Sequence, residues 1–378
     1  MREIGIGIIG YGFMGKAHTY GYLNMPLYYD NLPFNPKLVG VCNHNIAKAE
    51  DARDRVGFGF ATADYRELLA CPEIDAVHVC TPNSSHLPMV LDAIQAGKHV
   101  YVDKPLAMNA SDAKTMCEAA KGTGLTCQVA FHNRFFVSSM RAKEIMDSGA
   151  IGQITAFRAK YLIASNVNPH KASGWRNDQG LSGGGVLLDL GSHTLDLLLW
   201  LMGKKPEAIL CSTSTLHPTG KDAQGREIPI LVEDHSVMML RLEGGAVGTV
   251  EASKVCTGMD DELCVEIHGT KGALILNLTE NDQVRFYDNT LPDEPLGGNK
   301  GFTAIRSSQR YNRPGGEFPS PKQSIGWLRA HAHCVYTFLE SVYHAKEGSP
   351  SLEDGYKIQQ VMDAAYLSKR SNQWEQIF

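Results

Sequence analysis

An acid, a histidine and a second acid stand in one apolar stretch, at Asp189, His193 and Asp196. Their spacing of four and three residues predicts that they share one face of a helix from Val186 to Met202. Such groups are costly to bury in an apolar helix unless they have partners or a chemical purpose. Histidine, with an unperturbed pKa of about 6.5, is suited to accept or release a proton near neutral pH. The pattern indicates acid–base chemistry.

Two other interpretations of this stretch stay open. A structural hydrogen-bond network would also place acids and a histidine on one helical face, and for Asp196 it is as well supported as a chemical role. Asp189 and His193, four residues apart, could instead share a cation, but the sequence offers no convincing third ligand. We therefore predict no metal site.

A lysine that could support this chemistry occurs in Asp103-Lys104-Pro105, directly after a predicted buried strand. The proline keeps the backbone of Lys104 extended and aims its side chain reproducibly, whereas a solvated surface lysine is the structural alternative. Thr81-Pro82-Asn83-Ser84-Ser85-His86 follows the preceding strand, and Asn83 could also cap the next helix. Both motifs are predicted at the carboxyl edge of a sheet, where open α/β sheets bind their ligands.

A glycine motif near the N-terminus indicates which ligand this is. Gly10, Gly12 and Gly15 separate a buried β-branched run that begins at Ile4 from a helical pattern. Gly10 permits a tight turn, Gly12 lets backbone N–H groups approach a pyrophosphate, and Gly15 lets helix and strand pack closely. The position after a strand and before a helix predicts a dinucleotide site.

The end of the second predicted strand bears on the choice of dinucleotide. A carboxylate usually stands there to hold the adenosine ribose, but this chain has Asn43 followed by His44. Asparagine can bind a ribose hydroxyl without repelling a 2′-phosphate, yet no arginine stands close by to attract that phosphate, although Lys48 is near. NAD is favoured over NADP.

The order of predicted elements defines the fold class. Strands and helices alternate over the first third of the chain, which predicts a doubly wound parallel Rossmann sheet. After about residue 130, strands follow one another without helices, which predicts a largely antiparallel sheet. We expect a dinucleotide-binding domain over residues 1–127 and a substrate-binding and oligomerisation α/β domain over 128–378, whose last helix could pack back on the first. Residues 25–36 are expected to be a connecting loop, either a plain surface loop or a flap near the cofactor, and residues 289–323 an irregular insertion of undetermined role.

Composition excludes several classes of protein. The content of 43% hydrophobic and 20% charged residues is that of a soluble globular protein. A net charge of -5 provides no basic surface for nucleic acid or an anionic membrane. No apolar run reaches the length of a membrane span, and we expect no signal peptide. The nine cysteines, without a Cys-x-x-Cys pair, read as reduced thiols. A cytoplasmic protein is predicted.

Taken together, four motifs resemble the Gfo/Idh/MocA family of oxidoreductases across nearly the whole chain. They are Gly10-x-Gly12-x-x-Gly15, Thr81-Pro82-Asn83-x-x-His86, Asp103-Lys104-Pro105 and Gly184-Gly185-x-x-x-Asp189-x-x-x-His193. The resemblance implies a Rossmann domain followed by an α/β domain with a large, mostly antiparallel open sheet. It implies that Lys104, Asp189 and His193 are catalytic, and that Asp103 replaces a usual glutamate.

Finer features are similar to the subgroup of levoglucosan dehydrogenase and the glucoside 3-dehydrogenases. These features are the Gly12–His18 segment, Ser173-Gly174-Trp175-Arg176, Val232-Glu233-Asp234 and the turn at Ile267–Thr270. The resemblance implies oxidation of a ring hydroxyl of a sugar, cyclitol or glycoside, such as carbon 3 of a glucosyl unit, with hydride transfer to NAD. In this hypothesis His193 is the base, Lys104 hydrogen-bonds the reacting oxygen, and Asp189 holds the substrate or orients the other two groups.

The predicted binding residues form two sets. The cofactor set is Gly10, Gly12, Phe13, Met14, Gly15, Asn43, His44, Thr81, Pro82, Asn83, His86, Asp103, Lys104, Asn133, Trp175 and Arg176. The substrate set is Lys104, Arg134, Tyr161, Asn166, His170, Arg176, Asp189 and His193. Arginine and asparagine make directional hydrogen bonds suited to polyhydroxy ligands, and tryptophan offers an apolar face. Individually, each of the loop residues could equally stabilise the loop.

Three alternatives and one assembly prediction complete the hypothesis. A tightly held NAD could oxidise the alcohol transiently during an elimination or epimerisation without net redox. An inositol-type cyclitol dehydrogenase is a second alternative, and a non-catalytic NAD(P)-binding sensor is a third from another class. Because an open sheet needs its exposed face covered, we expect a homo-oligomer, a dimer, tetramer or larger.

Overall fold

The computed structural model describes residues 1–170, 173–222, 224–308, 311, 315–316, 318–320 and 323–377. The chain forms two compact units. Unit 1 comprises Met1–His132, Tyr311–Pro319 and Trp327–Gln359, and unit 2 comprises Asn133–Arg310, Ser320–Gly326 and Gln360–Phe378. The chain thus returns to unit 1 after building unit 2.

The first 132 residues of unit 1 build a parallel sheet with helices between its strands. The six strands run in the order β3-β2-β1-β4-β5-β6, and every neighbouring pair is parallel. The predicted doubly wound Rossmann sheet is confirmed. In chain order the elements are β1 (Arg2–Ile9), α1 (Phe13–Tyr28), β2 (Phe34–Cys42), α2 (Ile46–Val56), β3 (Phe60–Thr62), α3 (Tyr65–Ala70), β4 (Ala76–Val79), α4 (His86–Gln95), β5 (His99–Val102), α5 (Ala110–Ala120) and β6 (Cys127–Val129).

Unit 2 contains the second sheet and the predicted apolar helix. Its elements in chain order are α6 (Val137–Asp147), β7 (Ile154–Leu162), α7 (Gln179–Ser182), α8 (Ser192–Met202), β8 (Pro206–Ser214), β9 (Thr219–Lys221), β10 (Glu227–Pro229), β11 (His235–Leu242), β12 (Val247–Ser253), β13 (Glu262–Gly269), β14 (Gly272–Asn277), β15 (Gln283–Asp288) and β16 (Phe302–Arg306). A π-helical turn, Leu187–Gly191, leads into α8.

The chain closes with α9 (Gly326–Tyr343), α10 (Leu352–Ser371) and β17 (Glu375–Gln376). The boundary between the units falls inside α10, after Gln359. The large sheet has nine strands in the order β16-β15-β14-β13-β7-β12-β11-β8-β17. Only β7 and β12 pair in parallel within it, and its other pairs are antiparallel. The predicted mostly antiparallel sheet is confirmed.

One face of this sheet carries apolar side chains that unit 2 leaves exposed. Along β11, Val237 and Met239 are 39% and 40% exposed, whereas the alternate residues Met238 and Leu240 are buried. Val247 on the neighbouring β12 is 36% exposed. Alternation of this kind is typical of a sheet with one face on the core and the other open.

The expected loop over residues 25–36 is wrong. Helix α1 continues through Pro26 to Tyr28, and β2 begins at Phe34. This segment is ordered because Tyr29 is buried. The Tyr29 ring stacks on Tyr336 at 3.9 Å, and its hydroxyl accepts a 2.6 Å hydrogen bond from Arg329. Both partners come from α9, so the contact joins residues about 300 positions apart and leaves no local signal.

The expected irregular insertion over residues 289–323 contains a strand. β16 pairs antiparallel with β15, from Gln283 opposite Arg306 to Tyr287 opposite Phe302. Residues 309, 310, 312–314, 317, 321 and 322 of this segment lie outside the described residues. Residues 302–306 form a strand because they pair with β15. The glycine and proline content of the segment does not show that such a partner strand is available.

One helical stretch has the length and composition of a membrane span. It covers the 24 residues Gln179–Met202, and 83% of its most apolar window is buried inside the protein. A helix that is apolar on all sides and buried belongs to a protein core. We interpret it as the core helix of unit 2.

Unit 1 buries a polar cluster that the sequence did not single out. The ring nitrogen Nδ1 of His18 lies 3.2 Å from Nδ1 of His78 and 3.2 Å from Sγ of Cys80, and Tyr22 hydrogen-bonds the other nitrogen of His78. These three ligand-type atoms lie within 4.8 Å of one another. Ligands around Zn²⁺ stand about 3.3–3.7 Å apart, given bond lengths of about 2.0–2.3 Å. The shorter separations fit direct hydrogen bonds.

Acid is expected to destabilise unit 1 through this cluster. Burial lowers the pKa of His18 from 6.5 to about 4, against a smaller opposing effect of Asp103. In the unfolded chain His18 binds a proton below about pH 6.5, whereas in the folded chain it binds one only below about pH 4. The free energy of unfolding therefore falls as the pH is lowered from 6.5 to 4, by about 3 kcal/mol for this group. Urea unfolding at a series of pH values should show a shallower decline for His18→Gln than for the wild type. Equal slopes would contradict the prediction.

Candidate active site

The glycine loop has the geometry of a phosphate cradle. Gly10 has φ +91°, and a Cβ there would lie 2.6 Å from the carbonyl oxygen of Cys80. A Cβ on Gly15 would collide with the carbonyl oxygen of Gly10. A Cβ on Gly12 would meet nothing within 4 Å, so the loop is open where Gly12 caps α1. The N-terminus of α1 and this open space fit the pyrophosphate of a dinucleotide.

Phe13 and Met14, the first residues of α1, differ in exposure. Phe13 is 72% exposed, and Met14 is half-buried. The Phe13 ring lies 5.6 Å from that of Trp327 at the start of α9. An exposed aromatic ring beside the cradle offers a flat apolar surface to a ligand.

Asn43 follows β2 and is held in a fixed orientation. Its side-chain oxygen accepts a hydrogen bond from the backbone N–H of Asn45 at 3.0 Å, and its own N–H donates to the carbonyl oxygen of Thr62. The amide oxygen is thereby used within the protein, which turns the NH₂ group of the side chain outward from that bond. His44, the next residue, is exposed. Neither Asn43 nor His44 supplies a carboxylate at this edge of the sheet.

His86 joins the two loops that the motif analysis selected. It is fully buried, with Nε2 at 3.1 Å from the carbonyl oxygen of Thr81 and Nδ1 at 3.1 Å from that of Pro105. Burial lowers the pKa of His86, against smaller opposing effects of Asp103 and of the backbone carbonyls that face the ring. Asn83 begins a short 3₁₀ turn, Asn83–Ser85, and α4 starts at His86. Pro82 precedes that turn. His86 thus links the loop after β4, which contains Thr81 and Pro82, to the loop after β5, which contains Pro105.

Asp103 sets the backbone of Lys104. The Asp103 carboxylate is mostly buried and accepts a 2.8 Å hydrogen bond from the backbone N–H of Lys104. The N–H of Asp103 in turn donates to the carbonyl oxygen of Val79 at the end of β4. A shorter acid than the usual glutamate is suited to this local contact, because its oxygen reaches the adjacent N–H.

Aromatic residues that sequence reasoning missed lie near Lys104. The His132 ring stacks on His331 at 3.7 Å, and Trp327 lies 4.1 Å from His331. Burial and then the Lys104 charge lower the pKa of His132 to about 3. Within unit 1, neighbouring rings therefore run from Phe13 at the start of α1 to His132, whose pKa responds to the charge of Lys104. Trp327 and His331 come from α9, far along the chain, and carry no motif.

A buried carboxylate holds the start of the helix that carries Asp189. Glu233 is 5% exposed and accepts hydrogen bonds from the N–H groups of Gly185 and Leu187, both at 3.0 Å. The Tyr366 hydroxyl donates to the same oxygen at 2.9 Å. The backbone carbonyl of Glu233 accepts from the N–H of Val186, and a Cβ on Gly185 would collide with it. Glu233 thus satisfies N–H groups that a helix start leaves unpaired.

Asp189 lies in the π-helical turn and is flanked by two cations. Lys254 Nζ is 2.8 Å from Asp189 Oδ2, and Arg176 Nε is 3.5 Å from the same oxygen. Lys254 is 5% exposed at the end of β12, and it was not among the predicted residues. π-helical turns inside α-helices are frequent at functional sites. The predicted i, i+4, i+7 face is altered here, because the turn before His193 is wider than an α-helical one.

His193 is buried in the first turn of α8, close to Tyr161. It is 5% exposed, and the two rings lie 6.0 Å apart. The Tyr161 hydroxyl donates a 2.6 Å hydrogen bond to Asp261. Burial, then Asp261, and to a smaller extent Asp189 raise the pKa of Tyr161. The structure therefore brings Asp189, His193 and Tyr161 of the predicted substrate set together in unit 2.

Asp196 and Arg134 form a buried ion pair. Arg134 Nε donates to Asp196 Oδ2 at 2.9 Å, and the two side chains are 10% and 1% exposed. The pair ties α8 to the segment before α6. This contact supports the structural interpretation of Asp196, and it engages the guanidinium of Arg134, one of the predicted substrate residues. Asn133 is also buried, and its side-chain NH₂ has no hydrogen-bond partner among the described residues.

Asp196→Asn is expected to cost about 3–5 kcal/mol of stability, because it leaves the Arg134 charge buried beside a neutral amide. The matched control is Asp147→Asn, which breaks a surface ion pair with Lys143 and should cost less than about 1 kcal/mol. Denaturant unfolding of both variants measures the difference. Equal losses would show that the buried pair is not a major contributor.

The remaining predicted residues lie on the segment before α7. His170 is exposed, and its backbone N–H donates to the side-chain oxygen of Asn168. The N–H of Asn166 donates to the carbonyl oxygen of Lys254 at 2.9 Å. The Arg176 guanidinium lies 4.5 Å from the centre of the half-buried Trp175 ring. Asn166 and Arg176 thus connect this segment to the Lys254–Asp189 pair, whereas the described contacts of His170 are local.

Matches to family models agree with both halves of this description. A model described as an oxidoreductase family with an NAD-binding Rossmann fold matches residues 4–131. A model described as the GFO/IDH/MocA C-terminal domain matches residues 139–275. Together with the fold and the glycine loop, these matches define an NAD-binding oxidoreductase. The chain belongs to the Gfo/Idh/MocA family.

Relatives align over nearly the full length of the chain. Levoglucosan dehydrogenase of Pseudarthrobacter phenanthrenivorans is 31% identical, over 99% of this chain and 98% of the relative. D-glucoside 3-dehydrogenase of Escherichia coli is 26% identical, over 88% of each chain. A solved structure of levoglucosan dehydrogenase in complex with NADH and L-sorbose is 30% identical, covers 100% of both chains and superposes with a TM-score of 0.94. The protein is an NAD-dependent enzyme.

Proposed function

We propose that this enzyme oxidises a secondary hydroxyl on the ring of a sugar or glycoside, at carbon 3 of a glucosyl unit, and transfers the hydride to NAD. The observation that carries the proposal is the pairing of Asp189 with Lys254, directly before His193, in a chain that aligns end to end with a levoglucosan dehydrogenase. A half-buried, charge-paired carboxylate, four residues before a buried histidine, is suited to bind a polyhydroxy substrate that the histidine deprotonates.

Each residue has a separate task in this reaction. NAD, when bound, supplies the hydride acceptor. His193 accepts the proton of the reacting hydroxyl on an imidazole nitrogen and passes it to solvent. Lys104 donates a hydrogen bond to the same oxygen and stabilises its developing negative charge. Asp189 accepts a hydrogen bond from a substrate hydroxyl and so holds the substrate. One alcohol and one NAD⁺ give one ketone, one NADH and one proton.

The proposed cofactor contacts follow the predicted set. The cradle formed by Gly10, Gly12 and Gly15 would hold the pyrophosphate on the N-terminus of α1, where the open space beside Gly12 supports the fit. The NH₂ group of Asn43 would donate to an adenosine ribose hydroxyl. The NH₂ group of Asn133, which finds no hydrogen-bond partner within the described part of the chain, is a further donor suited to this ligand.

The first test is the absorbance band of reduced nicotinamide when purified enzyme meets NAD and a panel of sugars, cyclitols, O-glucosides and C-glucosides. Repeated turnover would establish a dehydrogenase and rank its substrates. A band limited to one equivalent per site would favour transient oxidation with retained cofactor, and strongest turnover of an inositol would favour a cyclitol dehydrogenase. Absence of any band despite NAD binding would favour a sensor.

A second test addresses the position of oxidation. A glucoside deuterated at carbon 3 should turn over more slowly than the unlabelled compound, and the corresponding 3-deoxy glucoside should not turn over. The same deuterium at carbon 2 or carbon 4 serves as the matched control. An isotope effect at carbon 2 or carbon 4 would support the proposed dehydrogenase activity but overturn the assignment of oxidation to carbon 3.

We also propose that the enzyme is a cytoplasmic homo-oligomer that covers the exposed sheet face. Val237, Met239 and Val247 supply an apolar strip on that face. Charged residues lie on the same face, among them Lys160, which pairs with Glu262 at 2.7 Å. Light scattering after gel filtration should give a multiple of the chain mass, and Met239→Lys should reduce it. A wild-type monomer would refute this assembly.

A further inference from the structure

We propose that Lys254 is a positioning residue, whose ammonium group fixes the carboxylate of Asp189 for the reaction. The inference rests on the proposed function, because Asp189 acts there on the substrate. It adds a residue that lies outside the four family motifs, at the end of β12. Lys254 acts through Asp189 and not on the substrate.

The first support is the geometry of the ion pair itself. Lys254 Nζ lies 2.8 Å from Asp189 Oδ2, which is the length of a charge-assisted hydrogen bond. The Lys254 side chain is 6% exposed and that of Asp189 is 19% exposed. Breaking a buried pair leaves an uncompensated charge away from water, so such a contact constrains its partners strongly.

The backbone of Lys254 is fixed on both sides. Its N–H donates to the carbonyl oxygen of Asp234 at 2.7 Å, and its own carbonyl oxygen accepts from the N–H of Asn166 at 2.9 Å. The Asp234 carboxylate in turn accepts from the N–H of Leu216 at 3.0–3.1 Å. The lysine therefore projects from a braced backbone, so that forming the pair orders its side chain without having to order the main chain as well.

The two ends of the ion pair are tied to adjacent residues of the chain. Glu233 binds the N–H groups of Gly185 and Leu187 at the start of the turn that carries Asp189. Asp234, the next residue, binds the N–H of Lys254. The Glu233-Asp234 dipeptide thus sets the position of Asp189 and the position of Lys254 together. This connection gives the Val232-Glu233-Asp234 motif a physical role.

Arg176, the second cation near Asp189, is less able to fix the carboxylate. It approaches the same oxygen at 3.5 Å, and its side chain is 46% exposed. Ion pairs that solvent reaches contribute little, because water and salt screen them and the side chain must be immobilised. Of these two cations, Lys254 is therefore the one better placed to set the direction of the Asp189 carboxylate.

Steady-state kinetics of Lys254→Met and Lys254→Arg test the role. Lys254→Met removes the charge at similar length, and we expect kcat to fall about 10- to 100-fold with a smaller change in KM. Lys254→Arg retains a charge and should recover part of the loss. The control is Lys143→Met, which removes a half-buried lysine of the same unit that is paired with Asp147 and should leave kcat unchanged.

Rescue by a small amine separates positioning from general structural damage. In Lys254→Ala, added ethylammonium should restore part of kcat with saturation, because the ion can occupy the vacated space beside Asp189. The same amine should not stimulate Lys143→Met or the wild type. A higher KM at unchanged kcat in Lys254→Met would assign Lys254 to substrate binding and overturn the inference, as would wild-type kinetics.

Unfolding measurements test whether Lys254 and Asp189 interact, independently of enzyme activity. Lys254→Met, Asp189→Asn and the double variant form a cycle, and the double variant should lose less melting temperature than the sum of the single losses. Additive losses would overturn the inference. If the wild type turned over no compound of the panel, the proposed function would fail, while this cycle would still decide whether Lys254 fixes Asp189.

Discussion

Lys104→Met is expected to lower kcat about 10²- to 10⁴-fold while the Kd for NAD changes little. The change removes the ammonium that would stabilise negative charge on the reacting oxygen, and one such electrostatic or proton-transfer contact is worth about that factor. Asp103 binds the backbone N–H of residue 104, so the loop keeps its anchor in the variant. Turnover is followed by nicotinamide absorbance, and NAD binding by titration calorimetry.

The matched control is Lys114→Met in the same unit. Lys114 is an exposed lysine of α5 whose ammonium lies 3.9 Å from Glu118, and its loss should leave both kcat and NAD binding unchanged. An unaltered kcat in Lys104→Met would remove Lys104 from the mechanism. A large loss of NAD affinity in Lys104→Met would instead make Lys104 a cofactor residue whose effect on turnover is indirect.

His193→Asn is expected to reduce kcat by a similar factor, about 10²- to 10⁴-fold, through loss of the general base. Asparagine is a small polar replacement in a buried place, and the π-helical turn before it is held separately by Glu233. Proton abstraction should become limiting in the variant, so a solvent isotope effect on kcat should increase or appear. Rapid-quench or stopped-flow measurement of NADH formation in a single turnover isolates that step.

The control for this variant is His344→Asn, at an exposed histidine after α9. It should retain wild-type turnover and stability. If His193→Asn kept its single-turnover rate, a different group would have to be the base. Tyr161 would then be tested next, because its ring lies 6.0 Å from that of His193.

Most of the fold could be predicted from local patterns in the sequence. Buried β-branched runs alternating with helices predicted the parallel sheet of unit 1, and Gly10, Gly12 and Gly15 predicted the turn between β1 and α1. These features were readable because strand burial, helical periodicity and positive φ depend on residues close together in sequence. The succession of strands after residue 130 predicted the second sheet for the same reason.

Contacts between distant residues were not readable. The expected loop at residues 25–36 failed because Tyr29 packs on Tyr336 and binds Arg329, both from α9. The sequence offered no reason to select Lys254, since a single lysine at a strand end is usually solvated. Asp196 looked equally suited to chemistry or structure until its ion pair with Arg134 appeared.

The sequence by itself determined the fold class, the cradle for a dinucleotide and the residue types able to move a proton, because each depends on spacing along a strand, turn or helix. Tertiary structure alone decided which of these groups meet. Asp189 faces Lys254 because Glu233 and Asp234, side by side in the chain, hold the π-helical turn and the end of β12. Electrostatic pairing acts over a few ångströms in space, and separation in sequence does not report that distance.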